Sequence, residues 1–233
     1  MTLTFIADPG TNYIGDINKL KELALTSMKA GATHFKPQIY QASEIYKQEN
    51  NEYYELQQKC SLSFEQVEEI YNYCKEINII PMFSCFSIKH LQWLEDIGCT
   101  NLKIAASMSG NNLFVAEASG YNFDIFVSFS KEYKHFSVWK YKDMFTNVQF
   151  MSCVSKYPAN ICDYNLKEVA VLQGISDHTT NICLSIAASA LNCNVFERHV
   201  WFRYYNTPDI SSSLHTEQFK NMVDVCNDVS AIR

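Results

Sequence analysis

The chain has 233 residues, 47% of them hydrophobic and 19% charged, with only 7 glycines and 5 prolines. That length and apolar content suit one sizeable core, and no Ser- or Gly-rich linker divides the sequence, so a single domain over residues 1–233 is expected. The formal net charge is −6 and the lysines are scattered, which excludes the concentrated basic face that nucleic acid or an anionic membrane requires.

The 9 cysteines form no CxxC pair, and their number is odd. Cys74, Cys183 and Cys193 fall in expected helices or helix ends, and Cys85 and Cys153 end apolar strand runs. A zinc ribbon and a disulfide framework are both poor fits to this pattern. No basic segment followed by an apolar stretch opens the chain, and no run reaches the length of a membrane span. The expectation is a reduced, cytoplasmic protein with buried thiols.

Short β-rich apolar runs alternate with amphipathic stretches of helical period along the chain. A strand over 4–8 precedes a helix over 17–30 that stops at Gly31. A strand over 34–38 leads into a polar, Tyr- and Gln-rich segment over 40–62, read as either a lid or a surface excursion. Its Tyr46, Tyr53 and Tyr54 are expected to pack against the rim rather than to face a ligand. Ser63 then caps a helix, with Gln66 in capping-box position and Val67, Ile70, Tyr71 and Cys74 on one face. Strands follow over 79–85, 102–106, 124–128, 148–153, 174–177 and 195–199. The helices between and after them are read over 90–97, 113–118, 131–140 (the weakest), 164–172, 182–191 and 216–229. Eight strand–helix pairs imply a parallel sheet closed as a (βα)8 TIM barrel, and no Gly-rich phosphate turn after the first strand supports an open doubly wound sheet.

The strand interiors are apolar, whereas their C-terminal ends carry Asp8, Lys36 with Gln38, Ser84, Lys103, Ser128, Ser155 with Tyr157, Asp177 with His178, and Glu197 with His199. In a barrel these ends converge on one pocket. A lysine in a barrel strand asks for an anion, because a buried charge without a partner is costly. Lys36 and Lys103 among several hydroxyls suit a phosphate or carboxylate. His178 and His199, with Asp177 and Glu197 nearby, suit a divalent metal with carboxylate support. Taken singly, each of these residues is better read as a structural ion pair or a hydrogen-bonded core histidine, but with all of them at one end of one barrel that reading needs many coincidences.

At these residues the sequence resembles the N-acetylneuraminate (sialic acid) synthase family, with its pseudaminic and legionaminic acid synthase relatives. Ile6-Ala7-Asp8-Pro9-Gly10-Thr11-Asn12-Tyr13-Ile14-Gly15-Asp16 is similar to the family's opening Ala-Glu-Ile-Gly-x-Asn-His-x-Gly-Asp motif. Phe35-Lys36-Pro37-Gln38 resembles its Lys-Phe-Gln strand, and Lys103-Ile104-Ala105 its Lys-Ile-Ala strand. Cys153-Val154-Ser155-Lys156-Tyr157-Pro158 resembles Cys-x-x-x-Tyr-Pro, and Gly174-Ile175-Ser176-Asp177-His178-Thr179 is close to Gly-x-Ser-Asp-His-Thr. Glu197-Arg198-His199 resembles Glu-Lys-His, and Pro208-Asp209 with Ser212 the later Asp-His-x-x-Ser stretch.

The resemblance implies a metal-assisted condensation of phosphoenolpyruvate with a 2-acetamido aldose, giving a 2-keto sugar acid and phosphate. Under it, His178 and His199 hold Mn2+ or Mg2+, which acts as a Lewis acid on the sugar aldehyde. Lys36, Lys103, Ser128, Ser155 and Ser176 grip phosphoenolpyruvate, and Gln38, Tyr157 and Asp209 face the sugar.

The sequence departs from the family pattern at Asp8 (for Glu), Tyr13 (for His) and Ser152 (for His), and in the stretch Ala105-Ala106-Ser107-Met108, where the family carries an acid. The first two changes are expected in the sugar half of the pocket, and Asp8 or Glu197 is then the expected base. Typical synthases also continue into an antifreeze-like domain that supplies a sugar-binding arginine, so a separate antifreeze-like protein is an expected partner. The alternative is a catalytically degenerate barrel acting as a binding or partner protein. A lyase or isomerase with the same metal and anion grip is a third reading, since fold does not fix function.

Overall fold

The computed structural model of the chain describes residues 3–48 and 52–232. In chain order the barrel strands are β1 (Thr4–Asp8), β2 (His34–Phe35 and Gln38–Ile39), β3 (Ile80–Pro81 and Phe83–Cys85), β4 (Asn101–Ile104), β5 (Asp124–Phe129), β6 (Val148–Cys153), β7 (Gly174–Asp177) and β8 (Val195–Trp201). Each pairs in parallel with the next, and β8 pairs with β1, so the sheet closes on itself. The architecture is the expected TIM barrel. Pro37 interrupts β2 because it has no N–H to donate. The ladder nevertheless continues through it: Lys36 N–H donates to the Ala7 carbonyl at 2.9 Å and Ser84 N–H to the Pro37 carbonyl at 3.2 Å.

The helices start where short polar side chains cap them. Asp16 accepts from the Asn18 and Lys19 amides to open Ile17–Lys29. Ser63 and Gln66 form the expected capping box of Phe64–Glu76, which buries Val67, Ile70, Tyr71 and Cys74 against the barrel. Gly31 ends the first helix at φ +92°, and a Cβ there would stand 2.9 Å from Val223. All nine cysteines are free thiols, with only Cys162 and Cys183 exposed. No helix among the described residues is long and apolar enough to cross a membrane.

Three stretches differ from the expectation. Residues 40–62 contain the short helices Ala42–Ile45 and Tyr54–Lys59, with 49–51 outside the described residues. The helix expected over 131–140 is Val138–Met144, because Ser137 caps it by accepting from the Lys140 amide. Residues 131–137 remain a loop, held by His135 stacked on Phe129 at 4.4 Å. Finally, β9 (Ser213–His215) adds in parallel to the far end of β8.

Alternation along each strand sends every second side chain into the barrel. The lowest interior layer is apolar: Ile6, Met82, Phe126, Met151 and Val195 form a cluster of their own, with His34 against Phe126 at 5.6 Å. Burial pushes His34 down to about 4, so its ring is neutral there. Two residues further along each strand, the interior layer turns polar. Outside the barrel wall, Asp177 and Arg198 sit opposite each other in register and pair at 2.5 Å, both fully buried. Asp177 also accepts from the Ser185 hydroxyl at 2.8 Å, and Arg198 donates to the Thr179 and Asn181 carbonyls. Asp177 therefore faces the helix layer, which corrects its expected role beside the histidines: it is the odd residue between inward-facing Ser176 and His178.

Replacing Asp177 with Ala strands the Arg198 guanidinium in a dry layer, which costs about 3–5 kcal/mol. Urea unfolding of Asp177→Ala is expected to show a loss of that size, and a loss under about 1 kcal/mol would rule out a structural role for the pair.

Candidate active site

The polar interior layer comprises Asp8, Lys36, Ser84, Lys103, Ser128, Cys153, Ser176 and Glu197, one from each strand, and it floors a cavity of about 600 Å³. The next inward positions are Gln38, Phe86, Ala105, Ser155, His178 and His199, which form its walls. Of the residues singled out in the sequence, Asp8, Lys36, Gln38, Lys103, Ser128, Ser155, Tyr157, Ser176, His178, Glu197, His199 and Asp209 lie on this cavity, whereas Asp177 does not. Sequence reasoning undervalued Cys153, Tyr40 and Tyr46, which also line it.

At the floor, the Lys36 ammonium lies 2.6 Å from Asp8 Oδ2 and 3.0 Å from Glu197 Oε1. Lys103 Nζ is 3.4 Å from Glu197 Oε2 and 3.4 Å from the Ile104 carbonyl. All four side chains are buried. Burial opposes charge on Asp8, but Lys36 and then His199 outweigh it and hold the carboxyl below the usual carboxylate range. Burial likewise opposes charge on Glu197, and Lys103 with Lys36 overcomes it. Lys36, despite its burial, is raised by its two carboxylates. Lys103 is lowered by burial, which its single carboxylate does not offset. It is the under-partnered cation of the set.

Around Lys103 the polar atoms are also incompletely satisfied. The Ser84 and Ser128 hydroxyls and Glu197 Oε2 are buried without a hydrogen-bond partner. Cys153 adds a protonated thiol, pushed up to about 11 by burial. Buried hydroxyls without partners are uncommon in a finished core and mark a space shaped for a polar ligand.

The two imidazoles stand side by side on the wall, ring centroids 5.5 Å apart. His178 Nδ1 is 2.7 Å from the Val154 carbonyl, which fixes that nitrogen as the N–H donor and leaves Nε2 as the basic atom, 3.4 Å from Ser176 Oγ. Burial, then the neighbouring His199, pushes His178 down to about 4, so the ring is neutral. His199 Nδ1 makes no hydrogen bond and lies 3.6 Å from Asp8 Oδ2. Tyr157 packs against His178 at 4.2 Å and His199 at 5.8 Å, with half of its surface exposed at the mouth. Among the described residues no group of three or more His, Cys, Asp or Glu side chains is arranged around a common metal position.

The mouth is built by three loops. After β1, the Thr11 amide and hydroxyl both donate to Asp209 Oδ2 at 2.7 Å. Gly10 is required at that turn: its φ is +49°, and a Cβ would stand 2.6 Å from Asp209 Oδ2 and 2.9 Å from His199 Nδ1. After β2, Tyr40, Ile45, Tyr46 and Gln57 form one wall. Tyr46 thus lines the cavity, contrary to expectation, while also packing edge-on against Tyr40 at 5.7 Å. Tyr54 is buried in the core, as expected, and Tyr53 is half-buried. After β5, Tyr133 reaches the rim, and the Glu132 carboxylate accepts from the Ser130 hydroxyl.

Two of the sequence departures lie outside the cavity. Tyr13 points away, its hydroxyl donating to the Cys60 carbonyl at 2.8 Å, so its expected place in the sugar half is corrected. Ser152 faces the helix layer and donates to Glu168 at 3.0 Å. Counting by twos from Phe126 through Ser128 also reaches the buried Ser130, just past the end of β5.

Comparison with known proteins agrees with this arrangement. An uncharacterised protein of Methanocaldococcus jannaschii is 28% identical over 232 residues, covering 94% of this chain and 68% of its own length. The N,N'-diacetyllegionaminic acid synthase of Campylobacter jejuni is 26% identical over 255 residues, covering 98% of this chain and 75% of its own. The crystal structure of an N-acetylneuraminic acid (sialic acid) synthetase from Leptospira borgpetersenii superposes with a TM-score of 0.90 at 23% identity, over 100% of this chain and 85% of that one. Residues 23–233 match the NeuB family, and a closed barrel with a buried Lys–carboxylate floor and paired histidines on its wall is, in this chain, the barrel of a NeuB family member.

Proposed function

We propose that the chain condenses phosphoenolpyruvate with a 2-acetamido aldose, consuming one water and releasing a 2-keto sugar acid and inorganic phosphate. The observation that carries this reading is the polar floor, where an under-partnered Lys103 and the unbonded Ser84 and Ser128 hydroxyls surround empty volume. A small polyanion supplies what that floor lacks: acceptor oxygens for hydroxyl and ammonium donors in a water-poor space. Lys36, Lys103, Ser128 and Ser176 hold the phosphate and carboxylate, with Ser84 beside them and Ser155 at the edge of the set. Gln38, Tyr157 and Asp209 face the aldose, and the aromatic wall of Tyr40 and Tyr46 shelters its apolar face. The low pKa of the buried carboxylates keeps Asp8 and Glu197 ionised, so they orient the lysines rather than titrate during turnover.

A divalent ion fits the two imidazoles in part. His178 is neutral, with its outer nitrogen fixed by a carbonyl, an arrangement typical of histidine ligands. His199 offers an unbonded Nδ1. His178 and His199 would hold Mn2+ or Mg2+, with substrate oxygens and water completing the shell. When bound, the ion supplies Lewis acidity toward the aldehyde oxygen.

Phosphate release from phosphoenolpyruvate is expected only when both an aldose from a 2-acetamido panel and Mn2+ or Mg2+ are present. His178→Ala and His199→Ala are each expected to lower it at least 100-fold. Release that is independent of the aldose, or unchanged in both variants, would refute the condensation or the metal assignment respectively. Ser128→Ala is expected to raise unfolding stability by about 1 kcal/mol, because it removes a buried unbonded hydroxyl. The same change should weaken phosphoenolpyruvate binding by calorimetry. Stability and affinity falling together would instead make Ser128 a packing residue.

A further inference from the structure

The cavity's own carboxylates are all committed. Asp8 and Glu197 are bound to lysines, and Asp209 accepts two hydrogen bonds from Thr11. Each already accepts hydrogen bonds, yet the water consumed in the reaction proposed above must lose a proton as its oxygen bonds to carbon. A hydrogen-bond chain leads from the cavity to solvent. Glu132, exposed on the loop after β5, is ionised and has only acceptor oxygens, so the buried Ser130 hydroxyl must donate to it. Ser130 then has only lone pairs left for Ser155 Oγ, 3.2 Å away, so Ser155 must be the donor in that pair. The Ser155 amide also reaches the same Glu132 oxygen at 3.5 Å, which ties the two loops together. Ser155 lines the cavity with its single proton already directed outward.

We propose that Ser155, Ser130 and Glu132 form a one-way relay that takes a proton from a cavity water to solvent, with Glu132 as the terminal base. As the water oxygen bonds to the carbon bearing the phosphate ester, one of its protons passes to Ser155 Oγ, while the alkoxide formed on the former aldehyde oxygen takes a proton from water at the cavity mouth. The Ser155 proton moves to Ser130, and the Ser130 proton moves to Glu132 Oε2. Both hydroxyls are regenerated, and the carboxylic acid formed on Glu132 returns its proton to bulk water. The water's second proton leaves with the phosphate as the ester C–O bond breaks and the ketone forms, so the turnover releases no net proton. It follows that Ser155 presents an acceptor to the cavity and meets the water or a sugar hydroxyl rather than an oxygen of the anion.

The relay rests on the synthase reading but is tested separately from it. In wild-type protein that releases phosphate, Ser130→Ala and Glu132→Gln are expected to lower kcat 10- to 100-fold with the KM for phosphoenolpyruvate within about twofold. Ser130→Thr, which keeps the hydroxyl, should recover most of the rate, and added formate should partly restore Glu132→Gln, whose site is open to solvent. Unchanged kcat in both loss variants, or a loss that neither threonine nor formate repairs, would overturn the relay while leaving the synthase reading intact. A wild type that releases no phosphate with any aldose would instead fail the synthase reading. The relay's polarity is then read by calorimetry with inorganic phosphate. Ser130→Ala frees the Ser155 proton to turn inward, so phosphate should bind several-fold tighter, and equal or weaker binding would overturn the assigned direction.

Discussion

The Lys36 ammonium between Asp8 and Glu197 is the contact on which the rest of the barrel interior depends. It joins side chains from β2, β1 and β8, the strands that meet where the sheet closes. A buried ammonium is tolerated only with carboxylates at hydrogen-bonding distance, and a buried carboxylate only with a cation, so each member secures the others. The apolar layer of Ile6, Met82, Phe126, Met151 and Val195 lies one interior step below and seals the far end of the barrel. Dry packing beneath raises the strength of the ion pairs above it, because a lower local dielectric strengthens electrostatic attraction as much as it penalises an unpaired charge.

The floor is balanced in charge but not in hydrogen bonds. Two lysines face two carboxylates, yet the contacts concentrate on Lys36, while Lys103 has one long ion pair and one long bond to a carbonyl. Unbonded hydroxyls stand on β3 and β5 on either side of it. A core optimised for stability alone would pair these groups or replace them with apolar ones, since each unbonded buried hydroxyl is a standing cost. Their retention on one side of the ring divides the interior into a half that holds the strands and a half that is prepared for a ligand.

Much of this was legible in the sequence, for a geometric reason. Strand side chains alternate with period two, so a polar residue at the end of an apolar run marks the cavity end of a barrel strand. Lys36, Lys103, Ser128 and Glu197 were identifiable on that basis, and all of them line the cavity. The parity of Asp177 was the exception. Its neighbour His178 faces inward, so Asp177 faces out to Arg198, a distinction that proximity in sequence conceals and register reveals. The walls were less legible because they come from loops. Tyr46 reads as a rim aromatic in a polar segment, and nothing local separates packing from lining when a side chain does both. The helix expected over 131–140 failed because Ser137 caps a later start, and the loop so left free is the one that carries Glu132 to Ser130.

That loop also resolves a conflict inherent in a floor of fixed charges. Carboxylates locked to lysines hold their protons poorly and move little, which suits them to orienting substrate and unsuits them to accepting protons in turnover. A proton leaving such a site must travel through groups whose bonds can reverse without uncovering a charge, and hydroxyls do this. Placing an exposed carboxylate at the solvent end of two serines separates the charges that must stay from the one that must change. The interior can then remain dry and electrostatically rigid while its protons are exchanged at the surface.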